Sequence, residues 1–215
     1  STSYDRMQAA LKAFAIDDFA VSGALYHQLM GHEQVPHMRL DIRVPSLDVK
    51  IPTTDMEGNH GFMALPNESQ ARAIEQSLQS PLSLIQGPPG TGKTFTATSI
   101  VYHLSKAKTK QQILVCAPSN VAVDHLTEKI ASTGLMVVRL SAKMREDQTP
   151  AKIQRLFLHD MVNNIRTEKH KQLRQLMVLR EEVGELNAKD ARTFKKLYEA
   201  AEKEILACAD VVCAT

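Results

Sequence analysis

The sequence predicts an α/β domain, a parallel sheet with helices on both faces that a helical insert interrupts. Three observations carry that expectation. Short apolar runs at 82–86, 113–117 and 135–140 alternate with stretches of helical periodicity, the pattern of parallel strands buried on both faces. The first run leads straight into Gly87-Pro88-Pro89-Gly90-Thr91-Gly92-Lys93-Thr94, which fits G-x-x-x-x-G-K-[ST] and joins strand to helix. The alternation then stops at Leu140, and the next strand-like run, 209–214, begins only roughly 70 residues later, where a crossover needs a dozen or two.

The elements follow in order. Residues 4–31 read as two helical stretches, with Met7, Leu11 and Phe14 along the first, Leu25 and Leu29 along the second, and Gly31 as C-cap. Alternation of Leu40, Ile42 and Val44 among Pro36, Pro45 and Pro52 predicts short extended pieces over 38–54, and the polar stretch 53–61 predicts a linker. A helix over 67–78 carries Ala71, Ile74 and Leu78 on one side and is closed by Pro81. After the strand 82–86 and the glycine loop, a helix over 93–106 shows Ala97, Ile100, Val101 and Leu104 at i, i+3, i+4 and i+7. The polar turn 108–112 brings in the second strand, parallel to the first through a right-handed crossover. A helix over 121–133 ends at Gly134 before the third strand. The insert reads as three helices whose apolar stripes are packing rather than a cofactor box. Ile153, Leu156, Phe157, Met161 and Ile165 line the first, Leu176, Leu179, Val183 and Leu186 the second, and Phe194, Leu197, Ala201 and Ile205 the third.

Composition narrows the class. With 215 residues, 43% of them apolar, the chain can bury a substantial core. A net charge of +2 neither requires nor excludes a nucleic-acid partner, so any basic surface must be local. Cys116, Cys208 and Cys213 sit in apolar runs without a C-x-x-C pair and read as small core hydrophobes of a reduced compartment. His27, His32 and His37 lack cysteine partners, so no zinc site is expected. No apolar run reaches the roughly 20 residues of a membrane span, and no signal peptide opens the chain, so the sequon Asn67-Glu68-Ser69 is a coincidence. The start at Ser1 without Met and the end inside the apolar run 211–215 read as the ends of a piece of a longer protein.

The glycine loop carries the chemistry. Glycines let the backbone bend with few Cβ atoms in the way and aim successive N–H groups at a phosphate. Lys93 supplies a point charge for the β- and γ-phosphates, Thr94 a hydroxyl for Mg²⁺, and the following helix its positive end. With glycine at about 7% of an average chain, a chance match in a chain this long is expected less than about one time in a hundred. A nucleoside triphosphate ligand follows. Gln70, just upstream, can both donate to and accept from an adenine edge, or be an exposed residue at a helix start. Ala117-Pro118-Ser119-Asn120 ends the second strand at its carboxyl edge, where open α/β sheets bind ligands, and Ser119 and Asn120 are also natural helix caps. Over 151–174, Lys152, Arg155, Arg166, Lys169, Lys171 and Arg174 outnumber Asp160 and Glu168, either as a solvated face or as a nucleic-acid patch. A guanine-reading N-K-x-D is absent; the nearest string, Asn187-Ala188-Lys189-Asp190, is out of order and lies in the insert, which disfavours a GTPase or a small-molecule kinase.

Together these residues resemble superfamily-one helicases. Pro66-Asn67-Glu68-Ser69-Gln70 is similar to the Q motif, residues 87–94 to motif I, and Ala117-Pro118-Ser119-Asn120-Val121-Ala122-Val123-Asp124 to motif Ia. Val138-Arg139-Leu140 and residues 211–215 look like two of the following short motifs. Within the superfamily, residues 1–8, 82–94, 100–104, 116–124, 126–130 and 184–186 resemble the eukaryotic RNA helicases of nonsense-mediated mRNA decay.

The resemblance implies a RecA-like first motor domain, begun by residues 63–143 and resumed at 207–215. It also implies stalk helices and a remnant of an accessory domain over 1–62, and a helical insertion subdomain over 144–206. By carry-over, Gln70 contacts adenine; Gly87, Pro88, Pro89, Gly90, Thr91, Gly92, Lys93 and Thr94 hold ATP; and Thr94 meets Mg²⁺, with Lys93 and Thr94 serving the chemistry. Pro118, Ser119, Asn120 and Thr215 are implied to touch single-stranded RNA, on which the motor moves 5′ to 3′. Other decay factors as partners and a cytoplasmic setting are implied with it. Pro66 departs from the family, which has Leu before the Asn, and this bears on the helix start. The acidic D-E-A-x motif that completes hydrolysis in the family has no counterpart here, since the chain contains no Asp-Glu dipeptide. The alternatives are another superfamily-one helicase acting on DNA or RNA, or a P-loop NTPase that is not a helicase.

Overall fold

The structure is a computed structural model that describes residues 2–17, 20–32, 46–55, 57–107, 111–141 and 151–215. The extended pieces expected around Leu40, Ile42 and Val44, with Pro36, Pro45 and His37, lie outside these residues, as does most of the turn after Ala107.

Helix α1 (Thr2–Ile16) and helix α2 (Gly23–Leu29) open the chain as the periodicity predicts, joined by a contact of the Phe14 and Tyr26 rings. Gly31, at φ 72°, lies just past the C-cap Met30. The stretch read as a linker is instead a hairpin: β1 (Pro52–Thr54) pairs antiparallel with β2 (His60–Phe62). Its turn is closed by Asp55, whose carboxylate accepts from Asn59 and the Glu57 N–H, bonds that hold it below the usual carboxylate range. Polarity predicted a loop there because the strands are short and exposed and show no apolar alternation.

Helix α3 (Glu68–Gln79) buries Ile74 and Leu78 and packs on α4 (Lys93–Lys106). Among the described residues the sheet is parallel and three-stranded: β3 (Ile113–Cys116), β4 (Val137–Arg139) and β5 (Val211–Ala214), in the order β3-β5-β4. Helix α5 (Asn120–Ala131) joins β3 to β4. The last strand therefore sits in the middle, with Val211 and Cys213 fully buried between its neighbours. Burial also pushes the Cys213 thiol up, as befits a core cysteine. Cys116 and Cys208, expected to be buried too, are exposed.

The two faces of the sheet are covered by different parts of the chain. On one, Val101 of α4 and Val123 and Ile130 of α5 pack against Val137, Val211 and Cys213. On the other, Val138 and Val212 meet Val162, Leu173, Ala201 and Ile205, which come from the insert: α7 (Leu158–Asn163), α8 (Lys171–Val183) and α9 (Ala188–Cys208). The insert thus supplies the second cover of β4 and β5. On β3, Leu114 stays 67% exposed.

Four further expectations need correction. Residues 82–86 form no strand; among the described residues nothing pairs with them, and Leu84 is 93% exposed. An apolar run becomes a strand only where a neighbour supplies the hydrogen-bond ladder. The buried face of α4 is not the apolar stripe alone, since Thr96, Thr98 and Ser99 lie inside it beside Val101. Their hydroxyls donate to the carbonyls of Gly92, Thr94 and Phe95, one turn back, so small polar residues are buried without unsatisfied donors. The first insert helix is two short ones, α6 (Ala151–Gln154) and α7, broken where Phe157 bridges to Arg139 of β4. In α8 only Leu173 and Leu176 are buried, whereas Leu179 and Val183 are exposed.

Candidate nucleotide site and sheet edge

The site begins at a helix start. Asn67, the N-cap of α3, accepts from the Gln70 N–H at 2.9 Å, and Gln70 Oε1 accepts from the Asn67 N–H at 3.0 Å, a capping box. Pro66 therefore leaves the helix start intact. Gln70 has a second task, for its Nε2 donates to the Thr91 carbonyl at 3.0 Å, 21 residues along the chain. The candidate base reader and the glycine loop are brought together by that bond.

Within the loop, Gly90 and Gly92 adopt φ of 80° and 82°, and Gly92 is the N-cap of α4. A Cβ on Gly92 would lie 2.6 Å from Gln70 Nε2, and one on Gly87 would lie 2.7 Å from Thr91 Oγ1. At Gly92 the positive φ favours glycine and the Gln70 amide would have to move aside, whereas at Gly87 the Thr91 side chain would have to shift. Thr91 Oγ1 donates to the Pro88 carbonyl at 2.8 Å, and Lys93 Nζ donates to the carbonyls of Gly87 and Pro88 at 2.7 and 2.8 Å. The ammonium is thus held over the bend at the N-terminus of α4, with Thr94 next to it and exposed. This donor set suits a polyphosphate: a bend with few Cβ atoms, a helix start and a cation in one place. The hydroxyl of Thr94, a hard oxygen donor, suits Mg²⁺.

At the carboxyl edge of the sheet, Ser119 caps α5, its hydroxyl accepting from the Ala122 N–H at 3.2 Å. The Ala117 N–H donates to the Ala214 carbonyl, so Pro118, Ser119 and Asn120 share this edge with Thr215. The structure brings these four together. It also shows what Arg139, placed in a short motif without a role of its own, does at this edge. Arg139 on β4 is 1% exposed, and its guanidinium donates to Asp124 Oδ1 at 2.8 Å, to Asn120 Oδ1 at 2.9 Å and to the Leu140 carbonyl. An arginine inside the apolar run Val137-Val138-Arg139-Leu140 was the available signal, because a fully buried arginine requires partners.

The basic stretch of the insert is partly spoken for. Lys169 pairs with Glu204, whose carboxyl that hydrogen bond holds below the usual range, and Arg174 donates to the Thr167 carbonyl. Arg166 and Arg174 line a cavity of about 570 Å³ with Arg180 and Tyr198, and Arg180 lies over the Phe194 ring. Asn187, in the string nearest to a guanine-reading motif, is the N-cap of α9, its side chain accepting from the N–H groups of Lys189 and Asp190. His27 and His32 lie with their Nδ1 atoms 2.8 Å apart, and among the described residues no group of three His, Cys, Asp or Glu is placed to hold a metal. No helix among them is long and apolar enough to cross a membrane.

A parallel α/β sheet together with a glycine bend, a lysine held over it and a helix start defines a P-loop nucleotide-binding domain. The chain belongs to the AAA domain family, whose model matches residues 66–189. Its whole length is also similar to part of several longer proteins. It is 52% identical to the ATP-dependent helicase NAM7 of Saccharomyces cerevisiae, covering 100% of this chain and 20% of that protein. It is 46% identical to a regulator of nonsense transcripts 1 homolog of Arabidopsis thaliana, covering 100% of this chain and 16% of that one. The ATP-dependent helicase upf1 of Schizosaccharomyces pombe is 46% identical over 100% of this chain and 22% of its own length. The chain spans about a fifth of the length of these relatives.

Proposed function

We propose that the chain is the first motor domain of an ATP-dependent RNA helicase acting in nonsense-mediated mRNA decay in the cytoplasm. The observation that carries this reading is the union of Gln70, Gly92 and Lys93 around one bend, where a triphosphate and its base can be held together. Lys93 exchanges the carbonyls of Gly87 and Pro88 for phosphate oxygens, Thr94 offers its hydroxyl to Mg²⁺, and Gln70 reads adenine. Mg²⁺, when bound, neutralises charge on the phosphate oxygens. Pro118, Ser119, Asn120 and Thr215, on one sheet edge, contact the single-stranded RNA backbone, and such contacts position the strand without reading its sequence. In this reading residues 1–62 form stalk helices and part of an accessory domain. Residues 63–143 and 207–215 form the motor domain, and 144–206 its helical insert. The relatives' names support the activity and the decay setting, and other decay factors are the partners they suggest.

The test is ATP turnover by the full-length protein with and without single-stranded RNA. RNA should stimulate turnover, and Lys93→Ala should reduce it by roughly 100-fold, the size of one lost charge-assisted contact to phosphate. Turnover that RNA leaves unchanged, or that survives Lys93→Ala, refutes the reading. Equal stimulation by single-stranded DNA refutes the RNA assignment alone, and a preference for GTP refutes the role of Gln70.

A further inference from the structure

Asn120 stands at the RNA-facing start of α5, and its neighbourhood determines which of its two amide groups is available. An asparagine side chain carries one acceptor oxygen and one NH₂ donor, and a guanidinium carries donors only. With Arg139 Nη2 at 2.9 Å, the oxygen of Asn120 is the group that faces the arginine, and the NH₂ is left over. RNA phosphate oxygens are acceptors, so the group left over is the one they need.

Arg139 is itself held on every side. Asp124, one turn along α5, accepts from its Nε, and the Leu140 carbonyl accepts from Nη1. Its backbone N–H donates to the Leu156 carbonyl at 2.7 Å, and the Phe157 ring, 1% exposed, lies 6.0 Å from the guanidinium carbon. The guanidinium therefore joins three pieces of chain: the start of α5, the end of β4, and the first turns of the insert. A buried arginine with this many partners holds one geometry, because any other leaves a charge or an acceptor unpaired out of water.

We propose that Arg139 is a positioning residue for RNA: it orients the Asn120 amide so that its NH₂ faces the strand, and through Leu156 and Phe157 it ties that orientation to the seating of the insert. The proposal rests on the reading of Asn120 as an RNA contact. Lysine at position 139 keeps the charge for Asp124, but its compact ammonium lacks the planar fork that lets one guanidinium reach Asp124, Asn120 and Leu140 at once.

The experiment is RNA-stimulated ATP turnover by the full-length protein carrying N120A, R139K or both, with thermal melts to establish folding. Each single variant should raise the RNA concentration for half-maximal stimulation by roughly tenfold, the loss of about one hydrogen bond to a charged group. The rate at saturating RNA should fall less than about twofold, a split that a merely structural role of Arg139 does not produce. The double variant should be no worse than about twofold beyond either single one, because both remove the same contact. If N120A weakens RNA stimulation while R139K does not, or if the two effects multiply, the proposal is overturned and the RNA reading stands. If N120A itself changes nothing, the reading of Asn120 fails and the proposal with it. Should R139K melt below the assay temperature, D124N is put through the same cycle: a loss of RNA affinity that does not add to that of N120A supports the proposal, and no loss overturns it.

Discussion

The glycine loop and the Arg139 cluster sit in one small domain and are stabilised in opposite ways. The loop is exposed, and its bonds run between near neighbours: Lys93 to Gly87 and Pro88, Thr91 to Pro88. Among the described residues, the hydrogen bond that reaches it from afar is that of Gln70. The cluster is buried, and its bonds join Arg139 to residues 15 and 19 positions away and to the insert beyond. The loop is shaped by its backbone, since Gly90 and Gly92 hold φ of 80° and 82° that residues with a Cβ rarely adopt. The cluster is shaped by what a buried charge demands, which is partners on all sides. The contrast teaches that a ligand-gripping segment can be almost free of the core, while the residue that orients a second contact is part of it.

The comparison can be broken most severely at Phe157. Phe157→Ala should destabilise the domain by about 3–5 kcal/mol in denaturant titrations, as for other buried aromatics, with Mg-ATP affinity retained. A loss under about 1 kcal/mol would show that the cluster does not anchor the fold. Next comes Gly92→Ala, which places a Cβ against Gln70 at a φ of 82°. The strain is about 1–2 kcal/mol, and because the loop carries it, Mg-ATP affinity should drop by tenfold or so in calorimetry. Unaltered affinity would mean that the bend tolerates reshaping. Smaller still is Gln70→Ala, which removes half of the capping box and the tie to Thr91. About 0.5–1 kcal/mol of stability should be lost, and the ratio of ATP to GTP affinity should fall toward one. A ratio that stays put detaches Gln70 from base reading. The smallest effect concerns His103 on α4, half-buried, whose burial lowers its pKa below 6.5. The unfolded chain then binds the proton more readily. Stability is therefore full above pH 6.5 and is lost as pH falls through the window between that value and the lowered folded one. His103→Gln should flatten the melting temperature across that window, and an unchanged slope would locate the acid sensitivity elsewhere.

Much of the fold was legible where it depends on near neighbours. The helix over 93–106 was read with the bounds it has, because the glycine loop before it and the polar turn after it punctuate the chain. The capped start of α3 and the end of α5 before Gly134 were legible for the same reason. The run 82–86 was misread because an apolar segment does not announce whether a partner strand lies beside it. The hairpin over 52–62 was missed because exposed, three-residue strands leave no alternation to see. The insert was recognised as helical, yet nothing in its stripes said that Val162, Leu173, Ala201 and Ile205 would cover the sheet itself.

By itself the sequence determined the glycine loop, its lysine and the helix behind it, along with the residues at the end of β3, since their spacing and chemistry act over a turn or two of chain. Only the tertiary structure decided that β5 enters between β3 and β4, that the insert covers one face of the sheet, and that Gln70 meets Thr91. It alone decided that Arg139 faces Asn120. Each of these joins segments far apart in the chain. Burial and hydrogen-bond pairing select such joins among many that the composition allows, so no local pattern records which one is taken.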